Sequence, residues 1–167
     1  MPTPVTTYHL EMHDPAELRP KPCPNPEFVV RECVVKQYQY NRFLYDLVGA
    51  PWQWVDKHSW RDTDWRLYAE SDNLRTFVGY LGGSPGGYYE LARYPSGRIQ
   101  IEYFGLAPAF IGQGFGGYLL STAVAHAWEW GTAVVSVHTC TLDHPHALQN
   151  YLARGFRLVR TTVTPEA

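Results

Sequence analysis

The chain has 167 residues, 45% apolar and 18% charged, with a formal net charge of −2, a balance that fits one globular domain burying about two-thirds of its unfolded surface. It contains no Lys/Arg run, no apolar stretch near the ~18 residues of a membrane-spanning helix and no signal-peptide pattern at its start, which argues against nucleic-acid or membrane partners. Cys23, Cys33 and Cys140 are odd in number and widely spaced, so no disulfide framework is expected, and the whole reads as cytoplasmic.

Residues 1–26 are rich in Pro and polar residues, and KPCPNP at 21–26 cannot sit inside a helix or strand; an irregular arm draped over the body is expected, with a single domain over 27–167. Glu27–Val35 reads as the first strand. Tyr40, Phe43, Leu44 and Leu47 recur at helical spacing within 37–48, and Gly49 and Pro51 stop that helix. A short helix is expected around Trp52–Lys57 and another over Asp62–Ala69. Leu74–Leu81 reads as a strand, GGSPGG at 82–87 as a turn, and Tyr88–Tyr94 and Arg98–Leu106 as two more strands. Connections this short imply an antiparallel meander. Leu119, Leu120, Ala123, Val124, Ala127 and Trp128 trace one face of a long helix ended by Gly131. Ala133–Cys140 is a buried type of strand, parallel to the one before that helix. Asp143 or His144 is expected to cap the last helix, with Pro145 in its first turn and Tyr151 on its apolar face, before a final strand over Phe156–Val163.

The stretch from Ile99 to Gly117 stands out. A strand passes through a Pro-containing loop and meets Gly112, Gly114, Gly116 and Gly117 directly before the long helix. Unpaired N–H groups and the positive end of the helix dipole suit a phosphate or pyrophosphate there. Gly112, Gly114 and Gly117 also satisfy the dinucleotide pattern G-x-G-x-x-G. That pattern needs an acidic residue ~20 positions on, whereas the next strand ends in His138-Thr139-Cys140 and a meander precedes it. A P-loop is excluded by the missing Gly-Lys-Ser/Thr.

Two motifs, in this element order, resemble the GCN5-related N-acetyltransferase (GNAT) superfamily. Ile111-Gly112-Gln113-Gly114-Phe115-Gly116 is similar to the family's Gln/Arg-x-x-Gly-x-Gly/Ala pyrophosphate loop, with Ile111 where Gln or Arg is usual. Ala147-x-x-x-Tyr151-x-x-x-Gly155-Phe156 is similar to the family's last helix, with His144 where an Asn is common. The resemblance implies an α+β fold, an α/β/α sandwich around a twisted, mixed, largely antiparallel sheet of six or seven strands. In it a central parallel pair is splayed to admit acetyl-CoA. It implies acetyl-CoA as cosubstrate, contacted by Leu106, Ala107, Ile111, Gly112, Gln113, Gly114, Phe115, Gly116, Gly117, His144 and Tyr151, and no metal. It further implies direct acetyl transfer to a primary amine, with the Leu106 N–H at the thioester carbonyl and Tyr151 protonating the departing thiolate.

Acetylation of an amine requires a base for the proton the amine carries at neutral pH. In the family a base often comes from the strand positions held here by Gln100 and Glu102. Gln100 cannot titrate usefully, so Glu102 is the expected base, and strand alternation puts it on one face with Gln100 and Phe104. His138 and His144 stay open as alternative bases. His138, Cys140, His144 and His146 match no zinc spacing. Tyr38, Tyr40, Trp52, Trp54, Trp60 and Trp65 crowd the segment that covers the acceptor side in such a fold; most are expected in the core, and an aromatic pocket made by a few favours a small amine or amino acid. The competing reading is a catalytically weak coenzyme A-binding sensor or interaction protein of the same fold; a homodimer is left open.

Overall fold

The computed structural model describes residues 3–164. In chain order its elements are β1 (Val5–Met12), β2 (Val29–Glu32), α1 (Tyr38–Gly49), α2 (Asp62–Ala69), β3 (Leu74–Leu81), β4 (Ser84–Arg93), β5 (Ile99–Leu106), α3 (Phe115–Trp130), β6 (Val135–Cys140), α4 (Ala147–Ala153) and β7 (Arg157–Thr164). The strands form one sheet in the order β2-β3-β4-β5-β6-β1-β7. All pairings are antiparallel except β5–β6. Leu44 and Val48 of α1 pack on Val78 and Tyr88 on one face, and α2 joins them through Trp65 and Ala69. Leu119, Leu120 and Ala123 of α3 pack with Tyr89, Leu91 and Ile99 on the other, joined by Tyr151 of α4. This is the expected three-layer α+β architecture, with seven strands and its parallel pair near the middle. Among the described residues no helix is long and apolar enough to cross a membrane.

Four local expectations change. The arm expected over 1–26 is in part a strand: β1 lies inside the sheet, antiparallel to both β6 and β7. Leu10 and Met12 are fully buried and Tyr8 packs beside them, alternating with His9 and Glu11 as a half-buried strand requires. The segment after it does drape over the body. Arg19 N–H donates to Arg154 O (2.9 Å) and Lys21 N–H to Ser121 Oγ (2.9 Å) on its way to β2 at the far edge. The expected helix at Trp52–Lys57 is a 3-10 turn over Ala50–Trp52, ended by Gln53 in the left-handed region (φ 58°). In GGSPGG only Gly82 and Gly83 turn, both with positive φ, as a two-residue hairpin demands. β4 has already begun at Ser84. Finally, α4 starts at Ala147 with His146 as its cap, because Asp143 is used elsewhere: its Oδ2 accepts from Thr139 Oγ1 (2.6 Å) and Cys140 N (3.0 Å).

One irregularity positions the site. Glu90 is registered with Tyr103 and Leu91 with Ile101, so Glu102 is the extra residue of a β-bulge. Beyond it alternation runs one residue out of step. Tyr103 joins Gln100 and Glu102 on the α1–α2 face, while Phe104 turns into the α3 core. The expected shared face of Glu102 and Phe104 is corrected by that bulge.

Candidate functional site

β5 and β6 pair only over Ile99–Ile101 and Val135–Val137. From there Glu102–Leu106 stays on β4 and residues 138–140 stay on β1, with no ladder between them. The sheet is open along this fork, and the Glu102 bulge stands where the strands part. Ala107 N–H donates to Gly86 O (2.9 Å). Alternation along an antiparallel strand therefore directs the Leu106 N–H away from β4, into the opening. On the α3–α4 side, the Phe104 ring lies 6.1 Å from that of Tyr151. Tyr151 is 5% exposed. Burial, with the Asp143 charge second, holds its phenol well above the usual range, so the hydroxyl keeps its proton at neutral pH.

The opening runs to the start of α3. Gly112 (φ 81°) and Gly114 (φ 88°) take left-handed conformations open to glycine, and Gly114 caps α3 with no side-chain bond and no acidic residue in the first turn. The first amides of the helix thus lack intrahelical partners. The Phe115 ring is buried against Phe28 (4.6 Å between centroids), which leaves that residue only its backbone to offer. Gln113 Nε2 braces the loop on Ala109 O (2.7 Å), and Asn150 Nδ2 of α4 donates to Gly116 O (3.2 Å). Over Gly117 cross two cationic side chains: a Cβ there would lie 2.5 Å from both Lys21 Cδ and Arg154 Nη1. Among the described residues no carboxylate forms an ion pair with either, and Arg154 Nε is buried without a partner. Two cations at the positive end of a helix repel unless an anion joins them. The donor set fits phosphate groups such as those of coenzyme A.

On the opposite face the Glu102 carboxylate accepts from the Tyr94 hydroxyl and from Gln100 Nε2 (3.3 Å). Burial and then Glu102 itself push the Tyr94 phenol up to about 12, so Tyr94 keeps the proton it donates to Glu102. Arg98 Nη1 holds Gln100 Oε1 (2.8 Å) and Ser136 Oγ (2.9 Å), fixing both strands just before they part. The α1–α2 connection roofs this side. Trp54 Nε1 donates to Asp143 Oδ1 (3.3 Å), and the Trp52 ring sits 4.8 Å from that of His144. The α1–α2 connection and the segment between β6 and α4 thereby meet.

A family profile described as Acetyltransferase (GNAT) family matches residues 41–156. The chain belongs to the GNAT family. Solved structures agree on the fold. A GCN5-related N-acetyltransferase from Kribbella flavida is 16% identical with a TM-score of 0.67, over 95% of this chain and 56% of its own. An aminoglycoside acetyltransferase from an uncultured soil metagenomic sample is 16% identical, TM-score 0.64, over 78% of this chain and 88% of its own. An IAA acetyltransferase from Bacillus cereus is 22% identical, TM-score 0.59, over 80% and 79%. The chain spans only 50–63% of the length of the first structures it matches. No curated protein sequence matches it.

Within this GNAT frame the structure brings Leu106, the glycine turn and Tyr151 to one side of the fork and Glu102 to the other. His144 is not among the groups at the turn's amides that the hydrogen bonds reveal. Its ring faces Trp52, its Nδ1 accepts from His146 N–H (3.0 Å), and burial and His146 lower its pKa. Asn150, Lys21 and Arg154 are the side chains at the turn that sequence reasoning missed. His138 faces His9 of β1 (5.8 Å between centroids), and among the described residues no three His, Cys, Asp or Glu side chains converge on a metal-sized point.

Proposed function

We propose that this chain transfers an acetyl group from acetyl-CoA to the primary amine of a small molecule. The observation that carries the reading is the fork between β5 and β6, with an anion-ready helix end and Tyr151 on one side of the sheet and Glu102 on the other. Acetyl-CoA, held by the amides from Gly112 to Gly117 together with Lys21 and Arg154 and bordered by Ala107 and Ile111, supplies the acetyl group as a thioester. The amine enters from the α1–α2 face, beneath Trp52 and Trp54. Glu102, directly or through a water, accepts the proton that frees the amine's lone pair. The Leu106 N–H donates to the carbonyl oxygen, where negative charge develops during attack. Tyr151 keeps a proton for the departing sulfur. The aromatic roof supports a small acceptor, as does the name of the metagenomic structure, which carries an aminoglycoside as substrate class.

Calorimetric titration with coenzyme A, followed by a thiol-release assay across a panel of primary amines, tests the reading. Coenzyme binding with thiol release above background hydrolysis for at least one amine is expected. Binding without release for any amine would move the chain to the sensor class, and absence of binding would refute the reading altogether.

A further inference from the structure

The α1–α2 connection carries a largely buried cation that the reaction above does not use. Lys57 lies between the exposed residues Asp56 and His58, yet its own side chain is only 11% exposed. Its Nζ sits over three ring faces, 4.1 Å from the centroid of Trp60, 4.8 Å from Tyr68 and 4.9 Å from Tyr103. Among the described residues Asp56 Oδ2 is its one oxygen partner, at 3.4 Å. A lysine on such a loop has an easy path to water, where its ammonium would be fully hydrated. Burial of an ammonium on one long hydrogen bond is costly unless the surroundings attract a cation strongly. Three converging ring faces do so through their quadrupoles.

The rest of the cage is negative and pre-set. Asp56 accepts from the Tyr45 hydroxyl (2.8 Å) and the Tyr103 hydroxyl. Burial would raise its pKa, but those bonds and the Lys57 charge outweigh it, and the carboxyl stays ionised. Behind Tyr68, whose hydroxyl donates to Glu90 Oε1 (2.7 Å), the buried Glu90 feels the same lysine charge. Tyr103, the residue after Glu102, shares its face across the bulge, so the cage stands on the amine side of the fork.

We propose that Trp60, Tyr68, Tyr103 and Asp56 form an ammonium-binding site for the acceptor, which Lys57 fills as a stand-in until an acceptor displaces it. The inference rests on the amine-acetylation reading and narrows its substrate class. What the cage holds now, a primary ammonium on a straight four-carbon stem, is what it takes from solution. Acceptors of this chain are therefore primary amines on an unbranched alkyl stem, which dock in the cage as ammonium ions and then leave it for Glu102, where the nitrogen gives up its proton before attack.

The test uses n-butylammonium as probe, with n-butanol as the uncharged control, on the full chain without acetyl-CoA. In proton NMR the Lys57 ε-CH2 signals are expected upfield, shielded by the three rings, and to move towards their free values as n-butylammonium saturates. Signals that stay shielded at saturation, or that respond equally to n-butanol, overturn the proposal. In a second arm Lys57→Met removes the internal competitor while keeping the stem, and at least tenfold tighter n-butylammonium binding is expected by tryptophan fluorescence. That gain should vanish when Trp60→Leu is added. Unchanged affinity in Lys57→Met, or a gain that survives Trp60→Leu, rejects the cage, and a poorly folded variant leaves the NMR titration of the unaltered chain to decide. These outcomes are separate from acetyl transfer. Thiol release from n-butylamine without displacement of Lys57 defeats only the cage, and displacement without thiol release for any amine defeats only the transfer.

Discussion

Replacing Glu90 by Gln is expected to flatten the dependence of stability on pH. Glu90 is 1% exposed on β4 and accepts from Tyr68 OH (2.7 Å) and Asn41 Nδ2 (2.6 Å). Burial nonetheless pushes its carboxyl from an ordinary 4.5 up to about 7; the two hydrogen bonds and the Lys57 charge offset only part of the desolvation. The native state therefore binds this proton more tightly than the unfolded chain does. Its contribution is fully present below pH 4.5 and is lost as pH rises to about 7. At ~1.4 kcal/mol for each tenfold change in proton affinity, the loss amounts to about 3 kcal/mol. Glu90→Gln keeps an oxygen for Tyr68 but sets an amide against the Asn41 amide, a penalty of about 1–2 kcal/mol that does not vary with pH. The difference between variant and parent isolates Glu90 from every group the two share. Urea unfolding of both, followed at intervals from about pH 4 to about pH 8, should show the parent losing about 3 kcal/mol relative to the variant. Parallel stability curves would mean that Glu90 ionises as if in water, and the reasoning from burial would fail.

Three further outcomes are expected. Tyr151→Phe should lower kcat at least tenfold, about 1.4 kcal/mol of barrier, with little change in coenzyme affinity; equal turnover in the thiol assay removes the tyrosine from the acid role. Gly114→Ala forces an L-residue to φ 88°, so a destabilisation of about 1–2 kcal/mol should appear in thermal or urea unfolding, together with weaker calorimetric binding of coenzyme A. Joint replacement of Lys21 and Arg154 by Gln should weaken coenzyme A binding at least tenfold and reduce its salt dependence, because two charge-assisted phosphate contacts are lost; a salt dependence equal to the parent's would place those cations outside the phosphate site.

The parts of the site legible in the sequence are those whose chemistry is local. A helix end needs only free amides and left-handed glycines, so the turn at Gly112 and Gly114 could be placed by spacing alone. Tyr151 followed from the resemblance of Ala147-x-x-x-Tyr151-x-x-x-Gly155-Phe156 to the family's last helix. Residues that act through distant partners were not legible. Lys21 and Arg154 meet over Gly117 only because the segment after β1 crosses α3, and neither sits in a basic cluster. The bulge at Glu102 leaves no turn residue behind; it is a register slip against β4, invisible in β5 itself. β1 did carry a signal, with Tyr8, Leu10 and Met12 alternating against His9 and Glu11, but the prolines and polar residues of 1–26, KPCPNP above all, pointed to irregularity.

That missed strand explains how the fork can exist. β6 is in register with β1 over Thr7–Met12 but with β5 only over Ile99–Ile101. Where it leaves β5, its peptide groups on the β1 side remain paired, so only one side of each strand gives up its partners. β5 is likewise supported by β4 as far as Leu106. Parting two central strands would otherwise leave two frayed ends in the core of the sheet. With β1 and β4 as outer splints, the fork becomes a rigid slot whose unpaired peptide groups face inward, towards whatever chain enters it. The segment that follows β1 then brings Lys21 to the end of that slot, so one short stretch of sequence both braces the opening and places a cation beside it. Removing β1 should therefore harm coenzyme binding beyond any loss of stability, since the geometry of β6 and the position of Lys21 depend on it together.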